Sequence, residues 1–165
     1  MRFIRLLIRL FSTALSSIQT HQCLFGKVQV NFPSKLSKNC VFKDNVNFNG
    51  IKVLGDGKVY FGNNFHSGKN VKIITTYHNY DKGKKIPYDS TYITRDVVIE
   101  DNVWIGDNVI ILNGIVIQEG AIIQAGSVVV SDVEYCSIVG GAPAKKFKSR
   151  DIEHYENLKS KSEFF

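Results

Sequence analysis

The sequence predicts an all-β fold, a parallel β-helix, and three observations carry that prediction. First, residues 93–134 repeat every six positions: ITRDVV, IEDNVW, IGDNVI, ILNGIV, IQEGAI, IQAGSV, VVSDVE. Ile93, Ile99, Ile105, Ile111, Ile117, Ile123 and Val129 open the seven segments, and Val97, Val103, Val109, Ile115, Ala121, Ser127 and Val133 hold the fifth position. A period of six fits neither a helix (about 3.6) nor an alternating strand (about 2). It fits a short strand plus a corner, with three such sides closing a coil of about 18 residues. Second, the same register runs through Leu24, Val30, Leu36, Phe42 and Phe48, and again through Phe61, Ser67 and Ile73. An antiparallel sandwich would place its turns every 8–12 residues or so and would not keep one phase. Third, the residue before each inward Ile or Val is also apolar: Val98, Trp104, Ile110, Val116, Ile122 and Val128. A monomer rarely leaves such a column exposed, so self-association is expected. Cover by the end of the chain is the alternative.

The elements follow in order. Residues 1–22 read as an amphipathic helix. Arg2, Arg5, Arg9, Ser12 and Ser16 form one polar stripe, and Phe3, Ile4, Leu6, Leu7, Ile8, Leu10, Phe11, Leu15 and Ile18 take the rest. Arg9 interrupts the apolar run of a secretory signal, and three arginines argue against a spanning helix. Two roles stay open: a cap over the open end of the β-helix, or peripheral contact with a membrane through residues 1–20. Residues 23–141 form the β-helix. The repeat lapses at residues 79–92, a polar stretch with Gly83 and Pro87 that reads as a loop thrown out from the prism. Residues 142–165 form a basic tail with a short helix.

Composition bounds the function. One domain of 165 residues with 44% hydrophobic content can build a real core. A net charge of +6 favours an anionic partner. Nothing resembles a nucleic-acid recognition helix or stacking platform, so nucleic acid is not expected. Cys23, Cys40 and Cys136 lack CxxC spacing, and Cys40 falls on an inward position; a reducing cytoplasm fits.

Among four histidines, His21 and His154 have no chemical company nearby. His66 and His78 take outward positions, and His78 stands where the loop leaves the prism, beside Asn79, Tyr80, Asp81 and Tyr88. His66 and His78 are 12 residues apart, without the close histidine pair that a zinc site on such a prism needs, so no metal is expected. After the repeat comes Gly140-Gly141-Ala142-Pro143-Ala144-Lys145-Lys146-Phe147-Lys148, where small residues permit close backbone approach and lysines offer charge for phosphate.

These residues together resemble the hexapeptide-repeat acyltransferases, and within them the sugar O-acetyltransferases of the maltose, galactoside and polysialic acid type. The resemblance rests on the repeat, Asn102–Gly106 (NVWIG), Ala125–Val129 (AGSVV), Gly140–Lys145 (GGAPAK) and His78–Asp81 (HNYD). It spans about residues 24–150. It implies a left-handed parallel β-helix, a homotrimer, and acetyl-CoA as co-substrate held between neighbouring prisms. It implies His78 as general base, the backbone N–H of Asp107 as oxyanion donor, and Trp104 along the groove. Ala125 and Ser131 match positions beside the pantetheine arm and adenosine, and Lys145 and Lys148 match positions near the CoA phosphates. His66, Asn79, Tyr80 and Asp81 are candidates for holding the acceptor. The second hexad position, usually Gly or an acid, is here Leu112, Gln118, Gln124 and Val130, and the maltose-type N-terminal segment is replaced by the arginine-bearing helix. The implied activity is acetyl transfer to a hydroxyl of a saccharide such as a capsule or lipopolysaccharide unit, in the cytoplasm or at the inner face of the membrane. The alternatives are N-acetylation of an amino sugar or nucleotide sugar, and a non-catalytic scaffold that binds a polyanion.

Overall fold

The computed structural model describes residues 2–165. Met1 and the Arg2 side chain, both part of the expected N-terminal helix, lie outside the described residues. The chain opens with α1 (Arg2–Thr20), then β1 (Val28–Val30), β2 (Cys40–Phe42), β3 (Val46–Phe48), β4 (Ile51–Leu54), β5 (Val59–Phe61), β6 (His66–Ser67) and β7 (Val71–Ile74). A hairpin of β8 (Thr76–His78) and β9 (Tyr92–Thr94) follows. The regular coils are β10 (Val97–Ile99), β11 (Trp104–Ile105), β12 (Ile110–Ile111), β13 (Val116–Ile117), β14 (Ile122–Ile123) and β15 (Val128–Val129). The chain closes with β16 (Ser137–Gly141), β17 (Ala144–Ser149) and α2 (Ile152–Ser160).

The strands stack into three parallel faces, as the repeat requires. The first face runs β1-β3-β6-β11-β14-β16 and ends on the antiparallel β17; the second is β2-β5-β10-β13; the third is β4-β7-β12-β15. In the regular region the register advances one coil every 18 residues, Trp104 opposite Ile122 and Ile110 opposite Val128. Backbone hydrogen bonds therefore run between coils, and β-branched side chains fill the interior. Ile99, Ile105, Ile111, Ile117 and Ile123 are all buried. Phe48, Phe61 and Phe65 widen the lower core, with ring centroids 5.0–5.6 Å apart.

The corners explain the Asp-Asn pairs of the repeat. Asn45, Asn64 and Asn102 take positive φ, and so do Asn70 and Asn108. Asn tolerates that region, and here its amides form ladders: Asn45 to Asn64 at 2.9 Å, Asn64 to Asn102 at 2.8 Å, Asn70 to Asn108 at 2.8 Å. The neighbouring acids accept backbone N–H groups from the coil below: Asp96 from Lys58, Asp101 from Asn63, Asp107 from Lys69.

Two expectations are corrected. The repeat does not restart at Ile93: that residue is only half-buried and pairs with Tyr77 across the β8–β9 hairpin, and the buried column resumes at Val97 and Ile99. The excursion is therefore a hairpin with strand at both ends, and Tyr92 belongs to its stem. Residues 142–165, expected as a basic tail with a short helix, hold that helix as α2 and add a strand ahead of it. Gly141 and Ala144 close a tight turn around Pro143, and Lys145, Lys146 and Lys148 lie on β17 against β16.

The helix α1 lies over the open edge of the first coil. Thr13 Oγ1, Ser17 Oγ and Gln19 Oε1 accept the backbone N–H groups of Val30, Leu24 and Leu36, and Gln22 donates to the Cys40 carbonyl. These are the backbone groups that a missing lower coil would otherwise have paired.

Candidate functional site

The first group of candidate residues comes from the corner between β11 and β12. Trp104 points outward from β11 and is 54% exposed. With Gly106, Asp107, Ala125, Gln124 and Phe147 it lines a groove of about 370 Å³. Consecutive coils bring Trp104, Asp107 and Ala125 together because positions 18 residues apart stack. The Asp107 carboxylate is occupied by the Lys69 N–H at 2.7 Å, so its side chain is structural. Its own N–H donates to no other group among the described residues. Gly68 keeps this corner close: a Cβ there would fall 2.6 Å from the Asp107 nitrogen and nearer still to its carboxylate. Phe147, which sequence reasoning passed over, enters from β17; an aromatic within a lysine run was the available signal.

The second group stands on the β8–β9 hairpin. His78 is half-buried and stacks on Tyr88, with ring centroids 3.7 Å apart and planes 16° off parallel. Tyr92, its cross-strand partner, lies 4.7 Å away. The Nδ1 atom is buried without a hydrogen-bond partner, which leaves Nε2 as the nitrogen open to a reactant. Asp89 holds the loop in shape: its carboxylate accepts from Thr91 N and Oγ1 and from Lys84 N, and the Thr91 hydroxyl bond, foremost among these, draws its pKa down. Sequence reasoning missed Asp89, although Asp-Ser-Thr before a strand is a turn signal. Asn79 bonds Thr91 across the stem and Lys82 N within the loop; Tyr80 is 69% exposed.

One copy of the chain does not join these groups. His78 follows β7 at the corner between the third and second faces, whereas Trp104 lies on the first face and Asp107 at the corner between the first and third. His66 is separated from Asn79, Tyr80 and Asp81. It sits directly below Trp104 in register and faces a pocket of about 390 Å³ shared with Tyr155, Lys159, Phe164 and Phe165. Burial lowers its pKa, opposed by a backbone hydrogen bond with Phe165. Ser131 and Lys145 line a third depression, of about 270 Å³, with Lys146, which pairs with Glu134 at 2.8 Å. Lys148 stands opposite Ile138 on the sheet. Among the described residues no group of three or more His, Cys, Asp and Glu could hold a metal ion.

Comparison with known proteins agrees with the fold. Residues 96–131 match the family described as bacterial transferase hexapeptide (six repeats). A hexapeptide-repeat containing acetyltransferase from Vibrio cholerae, solved with acetyl-coenzyme A, is 29% identical over 71% of this chain, with a TM-score of 0.58. This chain spans 64% of that one; a second structure of the same protein aligns over 84% of this chain and 80% of its own, with a TM-score of 0.67. Galactoside acetyltransferase in complex with coenzyme A is 26% identical over 66% of this chain and 53% of its own, with a TM-score of 0.58. A maltose O-acetyltransferase from Clostridium difficile is 25% identical over 88% of each chain, with a TM-score of 0.55. No curated protein matches the chain. The chain thus carries the hexapeptide repeat and shares the fold of hexapeptide-repeat acetyltransferases.

Proposed function

We propose that this hexapeptide-repeat chain is an acetyl-CoA-dependent O-acetyltransferase that modifies a hydroxyl of a saccharide, a cell-surface glycan unit, and works as a homotrimer. The observation that carries the proposal is the groove of Trp104, Asp107 and Ala125, with an unused backbone N–H at Asp107, on a prism whose one large excursion presents His78. The relatives solved with acetyl-CoA and CoA support the co-substrate, and the galactoside and maltose enzymes support a sugar acceptor.

In this reading the acceptor oxygen attacks the thioester carbonyl while His78 Nε2 takes its proton. The negative charge that develops on the carbonyl oxygen meets the Asp107 N–H. The tetrahedral intermediate collapses, the carbon–sulfur bond breaks, and the CoA thiolate recovers the proton from the imidazolium. Tyr88 and Tyr92 fix the plane of the imidazole, so less orientation is lost on reaching the transition state. Trp104 and Phe147 give the pantetheine arm apolar walls, and Ser131, Lys145 and Lys148 lie toward the nucleotide end. His66 and the loop residues Asn79, Tyr80 and Asp81 are assigned to the acceptor side.

The same separation of groups calls for more than one copy of the chain, which the proposed homotrimer supplies. Bringing the His78 of one copy to the Trp104–Asp107 groove of another completes the site. The outward apolar residues expected to form one column are instead shared among the three faces, Ile122 on the first, Val98 and Val116 on the second and Ile110 and Val128 on the third, so each face offers half-exposed apolar surface for association. The test is His78→Ala assayed with hydroxyl and amine acceptors. Turnover should fall by about 10²–10⁴, while acetyl-CoA binding by calorimetry and the oligomer mass stay unchanged. An active His78→Ala protein removes the base assignment; activity confined to amines removes the O-acetyl reading.

A further inference from the structure

The amphipathic helix α1 sits the opposite way round from a helix that caps a hydrophobic core. Its buried side chains are Ser12, Thr13, Ser16 and Thr20, and its apolar residues face away from the protein. Phe3, Ile4, Leu7, Phe11, Leu15 and Ile18 form one stripe, with exposures of 70, 61, 50, 69, 36 and 71%. Part of the polar inner face has a physical reason: Thr13, Ser17 and Gln19 accept N–H groups that the first coil would otherwise leave unpaired, while Thr20 bonds its own helix and the buried Ser12 and Ser16 hydroxyls have no partner among the described residues. The apolar outer face serves no such purpose, and nothing among the described residues covers it.

Charge is distributed in the same sense. Of the 21 basic side chains, seven precede Asp44, which is the first of the 15 acidic ones; the remaining 14 are outnumbered by those acids. The whole positive balance of the protein therefore lies on α1 and the coil it covers. Arg5, Lys35 and Lys38 are exposed there, Lys27 is exposed beside Asp44 at 3.9 Å, and Lys43 reaches up the prism to pair with Asp101 at 2.9 Å; Phe25 and Phe32 add exposed aromatic surface on the first coil. No described helix is long and apolar enough to cross a membrane.

We propose that α1 and the first coil dock the prism end-on against a bilayer rich in anionic phospholipid, with the Phe3–Ile18 stripe in the acyl boundary and the basic residues among the headgroups. An apolar stripe beside a predominantly cationic surface matches that interface, where burial and lipid charge act together. A second copy of the chain fits less well, because juxtaposing two such ends would bring like charges together. The proposal is independent of the acetyl-transfer reading.

The test is flotation of the full chain with vesicles of phosphatidylcholine alone and of phosphatidylcholine mixed with phosphatidylglycerol. Binding should favour the anionic vesicles by at least about tenfold and weaken as salt rises. Leu7→Glu with Phe11→Glu should reduce it by a further factor of at least about ten, with the melting transition unchanged because both side chains are exposed. Phe3→Glu with Ile4→Glu, at the start of the helix, provides a second pair should the first disturb packing. No binding by a folded chain overturns the proposal, as does equal binding to both vesicle types. Undiminished binding by both variant pairs would mean that charge alone acts and overturns helix docking. A fall in oligomer mass in either variant pair, measured by sedimentation, together with no wild-type vesicle binding, would assign the stripe to a second copy.

Discussion

Replacing Gly68 by alanine tests the fold and the proposed chemistry at one atom. The added Cβ would stand 2.6 Å from the Asp107 nitrogen and 2.8 Å from the Gly106 carbonyl carbon. Comfortable carbon contacts begin near ~3.5 Å, so the Asp107 corner must retreat by about 1 Å. These neighbours are backbone and cannot swing aside as a flexible side chain would. Overpacking of this kind costs about 1–3 kcal/mol, which for a chain of this size lowers the melting temperature by roughly 2–12 °C. The same retreat moves the Asp107 N–H away from the oxyanion, and loss of one such donor costs about 10²–10³ in kcat. Gly26→Ala is the comparison: φ is +87° and nothing lies within 4 Å of the added carbon. It carries only the strain of left-handed backbone, about 1–2 kcal/mol, and should leave turnover alone. Thermal melts and steady-state acetyl-CoA consumption on both variants decide the matter. Wild-type turnover in a Gly68→Ala protein that melts early would refute the Asp107 donor; an unchanged melting temperature would refute the packing argument itself.

Two further outcomes follow from the core and the corners. Ile111→Ala empties a buried position stacked between Ile73 and Val129 and should cost about 2–5 kcal/mol by urea unfolding; a loss below ~1 kcal/mol would mean the prism collapses around the gap. Asp101 supplies a pH signature: burial is the largest influence and raises its pKa, yet hydrogen bonds from Lys43 and Asn63 together outweigh it and leave the pKa below the ordinary value. A depressed carboxyl pKa contributes stability that is present above the unfolded value, about 3.9, and lost as pH falls through the folded one. The stability gap between wild type and Asp101→Asn should therefore be present at neutral pH and close in acid. It should be small, below about 1 kcal/mol, because the Lys43 pair is partly solvated; a gap that is the same at pH ~7 and ~3 would exclude the charge contribution.

The prism was legible because every coil from Val97 onward repeats one arrangement of inward residues and corners. Where corner lengths vary, the phase gave no guidance. Ile51 and Val53 are buried and pair with Val71 and Ile73, but Phe48 to Val53 and Val53 to Phe61 break the six-residue step. Ile93 failed in the opposite sense. It keeps the phase, but hairpin pairing with Tyr77 satisfies its backbone locally and takes it off the prism. The groove was partly legible for a related reason. Trp104, Asp107 and Ala125 belong to the repeat and meet by stacking, whereas Phe147 arrives on an antiparallel strand that periodicity cannot place.

The orientation of α1 marks a deeper limit. An amphipathic stripe states which side of a helix is apolar, not which side the protein will bury. The usual inference assumes that the surface to be covered is apolar. A β-helix end is different, because its interior is narrow and its rim is a ring of unpaired backbone groups. Three backbone N–H groups of the first coil bond to Thr13, Ser17 and Gln19, and each is worth about 1 kcal/mol net, with a larger cost if left buried and unmet. Satisfying that rim turns the side of α1 that carries Thr13, Ser17 and Gln19 inward, and geometry then forces Phe3, Phe11 and Ile18 outward. The apolar stripe is thus directed by the cap beneath it, which is why capping the first coil and the proposed surface binding are compatible rather than competing roles.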